Sequence, residues 1–303
     1  MLTQVKCNVS ELTARLGGFF CDEERIVKLN FYKRGVKRDP ATFNKAALDT
    51  LISQDKFIGA LEFFSEEDNY GDPSYTESAA GDRYKNNDGS VRFKFNFMRK
   101  GNCFHKQLHR LDRSENYSIT FVTESGKELC KLTKDGKYAG FDCNLFVDNK
   151  KLKFGAEGGG STLMVDILSY ELKDWNSKAI LVEASDFDFK EINPITEVNI
   201  EVPNLVASGP STPITSTVVK VTTACSNAEV AGLTTAANWK VIASGVKYAI
   251  TSISALNGTY TITHNPLYVG EKVQFVLDVA GYPVYVLDTN YYVGQSVEET
   301  VTV

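Results

Sequence analysis

What most constrains this chain is that its charge nearly stops partway along. Of 71 Lys, Arg, Asp and Glu residues, ten fall in residues 205–303, about 10% of that stretch, against about 30% in residues 1–204. No arginine follows Arg113, and Val and Thr supply 31 of the last 99 residues. β-Branched side chains are stiff at χ1 and fit a pleated, half-buried surface better than a helix. The C-terminal part is therefore predicted to be all-β. The break lies in Val202–Thr217, rich in Pro, Ser and Thr, which reads as a short, stiff linker. Two domains are predicted: an α+β domain over 1–204 and an all-β domain over 205–303. A chain of 303 residues suits that division, because single cores stop growing at roughly 250–300 residues.

Hydrophobic alternation places the elements. In Val91–Met98, Val91, Phe93, Phe95 and Phe97 fall on one face of a strand and Arg92, Lys94 and Asn96 on the other. Tyr117–Thr123 and Glu128–Leu132 flank Ser125-Gly126, and Phe141–Val147 and Lys150–Phe154 flank Asp148-Asn149; both read as hairpins. Strands are also predicted at Thr162–Tyr170, Ala179–Ala184 and Val198–Val202. Asp39-Pro40 is a helix-start signal, with Asp as N-cap and Pro at the first helical position. Val9–Leu16 has the spacing of one helical turn. The first domain thus reads as an antiparallel sheet of about six strands with one or two helices. Residues 66–90 are polar, Gly-rich and without period. A loop of that length inside a compact domain is usually functional, interfacial or disordered, which makes it the leading candidate for an inter-subunit contact.

Beyond the linker, seven short strands with turn residues between them, at Val218–Thr223, Trp239–Ala243, Lys247–Ser254, Gly258–Thr263, Lys272–Ala280, Val284–Asp288 and Glu298–Val303, fit an immunoglobulin-like β-sandwich with Trp239 in its core. The fold class expected is mainly β: an N-terminal α+β antiparallel-sheet domain followed by this sandwich.

Composition excludes several classes. With 43% hydrophobic and 11% aromatic residues, the chain is not of a disordered type. A net charge of −5 gives no basic stripe for nucleic acid. The N-terminal residues contain no apolar h-region, so no secretory signal and a cytoplasmic site of folding are expected. Cys7, Cys21, Cys103, Cys130, Cys143 and Cys225 are widely spaced without a CxxC, and reduced, buried thiols are expected.

No motif carries catalysis. His105 and His109 are spaced i, i+4 with Cys103 nearby, but a zinc site needs three or four ligands, and the Glu of HExxH is missing. The glycines of Gly155–Gly160 resemble a phosphate loop only in spacing, with Ser161 where the Lys belongs and a strand rather than a helix following. Asp22-Glu23-Glu24, Glu66-Glu67-Asp68 and Asp186/Asp188 match no calcium loop and read as solvated surface. No GxSxG occurs. Hence no catalytic, cofactor-binding or metal residue is assigned, no cofactor is expected, and the chain reads as a non-enzyme. The basic positions Arg92, Lys94, Arg99, Lys100 and the Lys33–Arg38 turn read first as a solvated face. Their second reading is a surface for an acidic neighbour in a ring or lattice.

Three segments carry a resemblance: Trp239-Lys-Val-Ile-Ala243, Leu256-Asn-Gly-Thr-Tyr-Thr-Ile-Thr263 and Gly270-Glu-Lys-Val-Gln-Phe-Val-Leu-Asp278. They resemble the immunoglobulin-like modules appended to tailed-bacteriophage virion proteins, over about a third of the chain. The first domain is similar, at the level of fold alone, to tail-tube-like and neck-ring subunits. The resemblance implies a non-enzymatic structural subunit of a phage virion, a tail or head-tail neck-ring component. It would oligomerise through its N-terminal domain, join other virion proteins, and be assembled in the host cytoplasm, with no membrane or direct nucleic-acid partner. The alternatives are a capsid decoration protein and a carbohydrate-binding adhesion module, in which Tyr282, Tyr285, Tyr291 and Tyr292 would stack on sugars.

Overall fold

The structure, a computed structural model, describes residues 1–5, 24–98, 101–152, 159–279, 281 and 284–303. It is mainly β and divides into two compact units, Met1–Leu48 with Lys56–Ile192 and Asp49–Asp55 with Asn193–Val303. The predicted helical turn at Val9–Leu16, along with Cys7 and Cys21, lies outside the described residues.

The first unit carries β1 (Leu2–Gln4), β2 (Ile26–Lys33), β3 (Phe57–Glu62), β4 (Ser65–Asp68), β5 (Ser74–Glu77) and β6 (Arg83–Asn87). It continues with β7 (Arg92–Met98), β8 (Ser114–Thr123), β9 (Glu128–Leu132), β10 (Tyr138–Ala139), β11 (Phe141–Val147), β12 (Gly160–Ile167) and β13 (Ala179–Ala184). The α-helices among the described residues are α1 (Lys45–Ser53), α2 (Asn102–Leu108) and α3 (Leu172–Lys178).

An eleven-stranded sheet runs β1-β13-β9-β8-β11-β12-β7-β4, with β2 and β3 branching from β8 and β10 paired to β9. Its long strand β8 meets β2 along most of its length, and pairs with β11 over its first half and β9 near its end. Strands β2 and β8 are buried on both faces over much of their length. On β7 the alternation works as predicted: Phe93, Phe95 and Phe97 are buried. Each fully buried side chain of this size contributes roughly 1.5–3 kcal/mol. Helix α3 places Trp175 over them, 4.8 Å from Phe141 and 5.7 Å from Phe93 between ring centroids.

Two local expectations need correction. Asp39-Pro40 opens a turn rather than a helix. Arg38 is held in an extended bridge to Tyr138, and the Asp39 carbonyl accepts from Phe43 N–H at 2.9 Å. The helix starts at Lys45 because Asn44 Oδ1 accepts the Ala47 N–H at 2.9 Å, an N-cap three residues ahead of its donor. The strand predicted at Lys150–Phe154 is also absent over Lys150–Leu152, where only Lys151 forms an isolated bridge. The partner of β11 is β12, in register from Cys143↔Ile167 to Val147↔Leu163.

The second unit contains β14 (Ile195–Glu201), β15 (Ile214–Thr223), β16 (Trp239–Ala243), β17 (Val246–Ala249) and β18 (Ser252–Leu256). β19 (Thr259–Leu267), β20 (Lys272–Leu277), β21 (Tyr285–Leu287), β22 (Asn290–Val293) and β23 (Glu299–Thr300) complete it. One sheet runs β18-β19-β15-β14-β22-β21 and a second β17-β16-β20-β23. Val219, Val221, Tyr260 and Ile262 from the first share a core with Trp239, Val241, Val273 and Phe275 from the second. The stretch predicted as one strand over Lys247–Ser254 is two, β17 and β18, in different sheets.

The division along the chain falls between Ile192 and Asn193, earlier than the 204/205 boundary that composition predicts. The cause is β14. It pairs antiparallel with β15 and parallel with β22, burying Val198 and Ile200 in the second unit while Asn199 and Glu201 face outward.

Candidate functional site

The segment 66–90 is not a loop. It holds the edge strand β4, on β7, and a separate two-stranded sheet of β5 and β6, paired from Ser74↔Asn87 to Glu77↔Arg83. Every residue of β5 and β6 is exposed. A free hairpin in water is at best marginally stable, because it has no face to bury. Register puts Tyr84 opposite Thr76 on one face, where Asn86 Nδ2 also donates to Thr76 Oγ1 at 2.5 Å. Tyr75 lies on the other face with the Arg83 guanidinium 5.2 Å from its ring centre. Tyr75 is 51% exposed and Tyr84 58%. The arm is thus a ribbon bearing one exposed aromatic ring on each face, with Arg83 over that of Tyr75.

The root of the arm is firm. Gly71 and Ser90 exchange backbone hydrogen bonds at 3.0 and 3.1 Å, and the Tyr70 ring packs edge-on against Phe93. A shallow pocket of about 390 Å³ opens there between Asn69, Arg92, Phe93, Phe146, Met164 and Asp166, with Arg92 ion-paired to Asp166 at 3.2 Å. On β4, Glu66 and Asp68 point the same way. Partial burial and the neighbouring Asp68 push the Glu66 carboxyl up to about 7.

The structure brings together two segments that the sequence treats separately. Helix α2 sets His105 Nδ1 3.0 Å from Ser161 Oγ at the start of β12. Burial, His109 and Lys150 hold the His105 pKa below its usual value. Ser161 is 1% exposed, so its hydroxyl is not open to a substrate, and the pair ties α2 to the sheet. His109 stacks edge-on against His105 at 5.9 Å. Cys103 is disulfide-bonded and offers no thiolate to a metal. Among the described residues no group of three His, Cys, Asp or Glu is arranged to hold a metal ion. The glycine run 155–158 lies outside the described residues, and Gly160, Ser161 and Thr162 open a strand.

The other charged groups are largely matched within the chain. Lys94 bonds Glu67 at 2.7 Å, Lys37 bonds Asp135 at 3.1 Å, and Arg34 lies 3.9 Å from Asp142. Glu24 is held down to about 2 by Lys127 and Ser125. Asp186 accepts the Lys45 N–H at 2.8 Å, and Asp188 accepts that of Lys190 at 2.7 Å. Asp22, Glu23, Arg99 and Lys100 lie outside the described residues.

Sequence reasoning missed a buried polar cluster under β2 and β9. Glu128, fully buried, accepts from Arg38, from Tyr32 Oη at 3.1 Å, from Asn30 Nδ2 at 3.3 Å and from Thr120 Oγ1. The Arg38 guanidinium also lies over the Tyr32 and Phe43 rings, at 4.6 and 5.6 Å. Its Nη2 has no hydrogen-bond partner among the described residues.

Expected thiols are corrected in part. Cys130 and Cys143 are free and buried, whereas Cys103 and Cys225 are disulfide-bonded. Disulfides persist in oxidising surroundings, so cysteine usage no longer argues for a reducing compartment. The tyrosines set out for sugar stacking are also placed differently. Tyr285 and Tyr291 are buried, with Tyr285 Oη accepting the Thr235 N–H at 3.0 Å. Tyr291 donates to Asp49 of the same unit at 2.8 Å. Tyr292 is half-buried, and Tyr282 lies outside the described residues.

No family model matches the chain. No curated protein matches it either.

Proposed function

We propose that this chain is a structural subunit that works by assembly, a tail or head-tail neck-ring component of a phage virion. One observation carries the assembly reading: a hairpin exposed on both faces, with an exposed tyrosine on each. Such a ribbon gains its stability when a neighbour covers it, and a neighbour also removes the free edges of the hairpin and of β4. The first unit supplies this arm, while the second, with its immunoglobulin-like segments and few charges, projects from the assembly or docks on another virion protein. The role is non-catalytic and needs no cofactor. Burial of Tyr285 and Tyr291 removes two of the four rings on which a sugar-binding reading would rest.

Negative-stain microscopy and mass photometry test the proposal. The full-length protein is expected to form closed rings or tubes as its concentration rises. Replacing residues 74–87 by a Gly-Ser turn should leave far-UV circular dichroism and melting unchanged and hold the protein as a monomer. A wild-type protein that stays monomeric at every concentration and ionic strength would refute the assembly role.

A further inference from the structure

Charge is distributed along β7 in a way that identifies what the arm meets. Residues 65–90 contain seven Asp and Glu against two Lys and Arg, a net charge of −5. That equals the net charge of the whole chain, so the remaining residues balance to zero. Within the arm Lys85 is paired to Asp88 at 2.6 Å, while Glu77 and Asp82 make no ion pair among the described residues. Residues 99–113, by contrast, hold five Lys and Arg and one Asp, together with His105 and His109. Of these, Lys106, His109, Arg110 and Arg113 are exposed on and after α2. Lys150 joins them by donating to Asn102 Oδ1 at the head of α2.

The two regions lie at opposite ends of one strand. The arm leaves from the Arg92 end of β7, where Asn69 N–H bonds the Arg92 carbonyl at 3.1 Å. The basic group follows the Met98 end in sequence, on and after α2. Seven residues separate the ends by about 20 Å at roughly 3.3 Å per residue. Two unlike surfaces at opposite ends of one element generate a head-to-tail contact when copies meet, which closes into a ring or continues as a helix. A two-fold contact centred on either surface alone would instead place like charge on like charge.

We infer that the acidic arm of one copy docks on the basic group around α2 and Lys150 of a second copy. The inference rests on the assembly reading above and names the surface and the symmetry class that it uses. Complementary charge sets register and approach, and Tyr75 and Tyr84 supply the rings that become covered at the contact.

The test is a charge swap read by mass photometry and sedimentation, at about 50 mM and about 500 mM salt, across which surface attraction is progressively screened. Glu77→Lys with Asp82→Lys reverses the arm; Lys106→Glu with Lys150→Glu reverses the receiving surface. Each double variant should weaken self-association at least tenfold at low salt, with circular dichroism unchanged. Mixing the two, or joining all four substitutions in one chain, should restore assembly. If the wild type never assembles, the assembly reading and this inference both fall. If it assembles and either double variant behaves as wild type, or the combined variant stays monomeric, the inference alone is overturned.

Discussion

Glu128→Ala is the substitution with the best-defined cost, because four donors converge on that carboxylate. Removing it leaves the Arg38 guanidinium, whose side chain is 1% exposed, without its counter-charge. Breaking a buried pair in this way costs about 3–5 kcal/mol. The hydroxyls of Tyr32 and Thr120 and the amide of Asn30 lose an acceptor as well, each worth about 1–3 kcal/mol when left unsatisfied, though these losses do not add in full. The broken pair alone, at about 4 kcal/mol, corresponds to roughly a thousandfold rise in the open population at about 1.4 kcal/mol per tenfold, a lower bound once the other losses are counted. The first unit contains its own reporter. Cys130 is a free thiol on β9, and burial raises its pKa to about 12, so a thiol reagent reacts only when the unit opens. Native-state labelling of Cys130, followed by mass spectrometry of the β9 peptide, should therefore speed up about a thousandfold in Glu128→Ala. Replacing the pair by apolar residues of similar size, Arg38→Met with Glu128→Leu, removes both the stranded charge and its partner. That double variant should label more slowly than Glu128→Ala, by about tenfold or more. A change under about fivefold in the single variant, or a double variant as labile as the single, would refute this account of the cluster.

Two further outcomes follow from local geometry. At Gly294 an added Cβ would sit 2.4 Å from the Val198 carbonyl oxygen, which belongs to the β14 backbone and cannot rotate away. Gly294→Ala should lose about 1–3 kcal/mol in urea unfolding of the second unit; a neutral result would mean that β14 shifts freely. The second outcome concerns Glu66. Its folded-state pKa of about 7 lies above the ordinary glutamate value of 4.5, so the folded edge strand holds a proton that the unfolded chain releases first. This contribution to stability is full below about pH 4.5 and is lost as pH rises through about 7. Amide exchange of β4, corrected for intrinsic rates, should show less protection at pH 8 than at pH 5.5, and Glu66→Gln should flatten the difference.

How much of this was legible in the sequence depended on whether an element has one buried face. β7, with three phenylalanines alternating with Arg92, Lys94 and Asn96, reads directly, as do Ala179–Ala184 and Trp239–Ala243, whose predicted bounds match the strands observed. β5 and β6 do not, because an element that buries neither face places no apolar period in the sequence: Ser-Tyr-Thr-Glu and Arg-Tyr-Lys-Asn-Asn look like loop. β8 is legible although burial on both sides erases its alternation, because the Ser125-Gly126 turn marks where Tyr117–Thr123 ends and β9 begins. The Arg38–Glu128 pair was invisible because its members are 90 residues apart and join only when β9 is laid beside β8 and β2. β14 was assigned to the wrong side of the boundary by Glu197 and Glu201. Its charge matches the first domain, but Val198 and Ile200 determine where it packs. The linker composition marked a real change of residue usage without marking the change of partners.

Between β15 and β16 the chain crosses the second unit without a strand, yet the polar tips of core aromatics hold it. Tyr260 Oη donates to the Val230 carbonyl at 2.5 Å and accepts the Leu233 N–H at 3.3 Å. Trp239 Nε1 donates to the Leu233 carbonyl at 2.9 Å, and Tyr285 Oη takes the Thr235 N–H. All four bonds end on main-chain atoms, which every non-proline residue offers alike. Val230 and Leu233 insert into the core, but Ala231, Thr234 and Thr235 are exposed and contribute none of these bonds with their side chains. This short path can therefore be rewritten at those three positions while keeping its course, making it a natural place to install a label, an epitope or a new recognition residue.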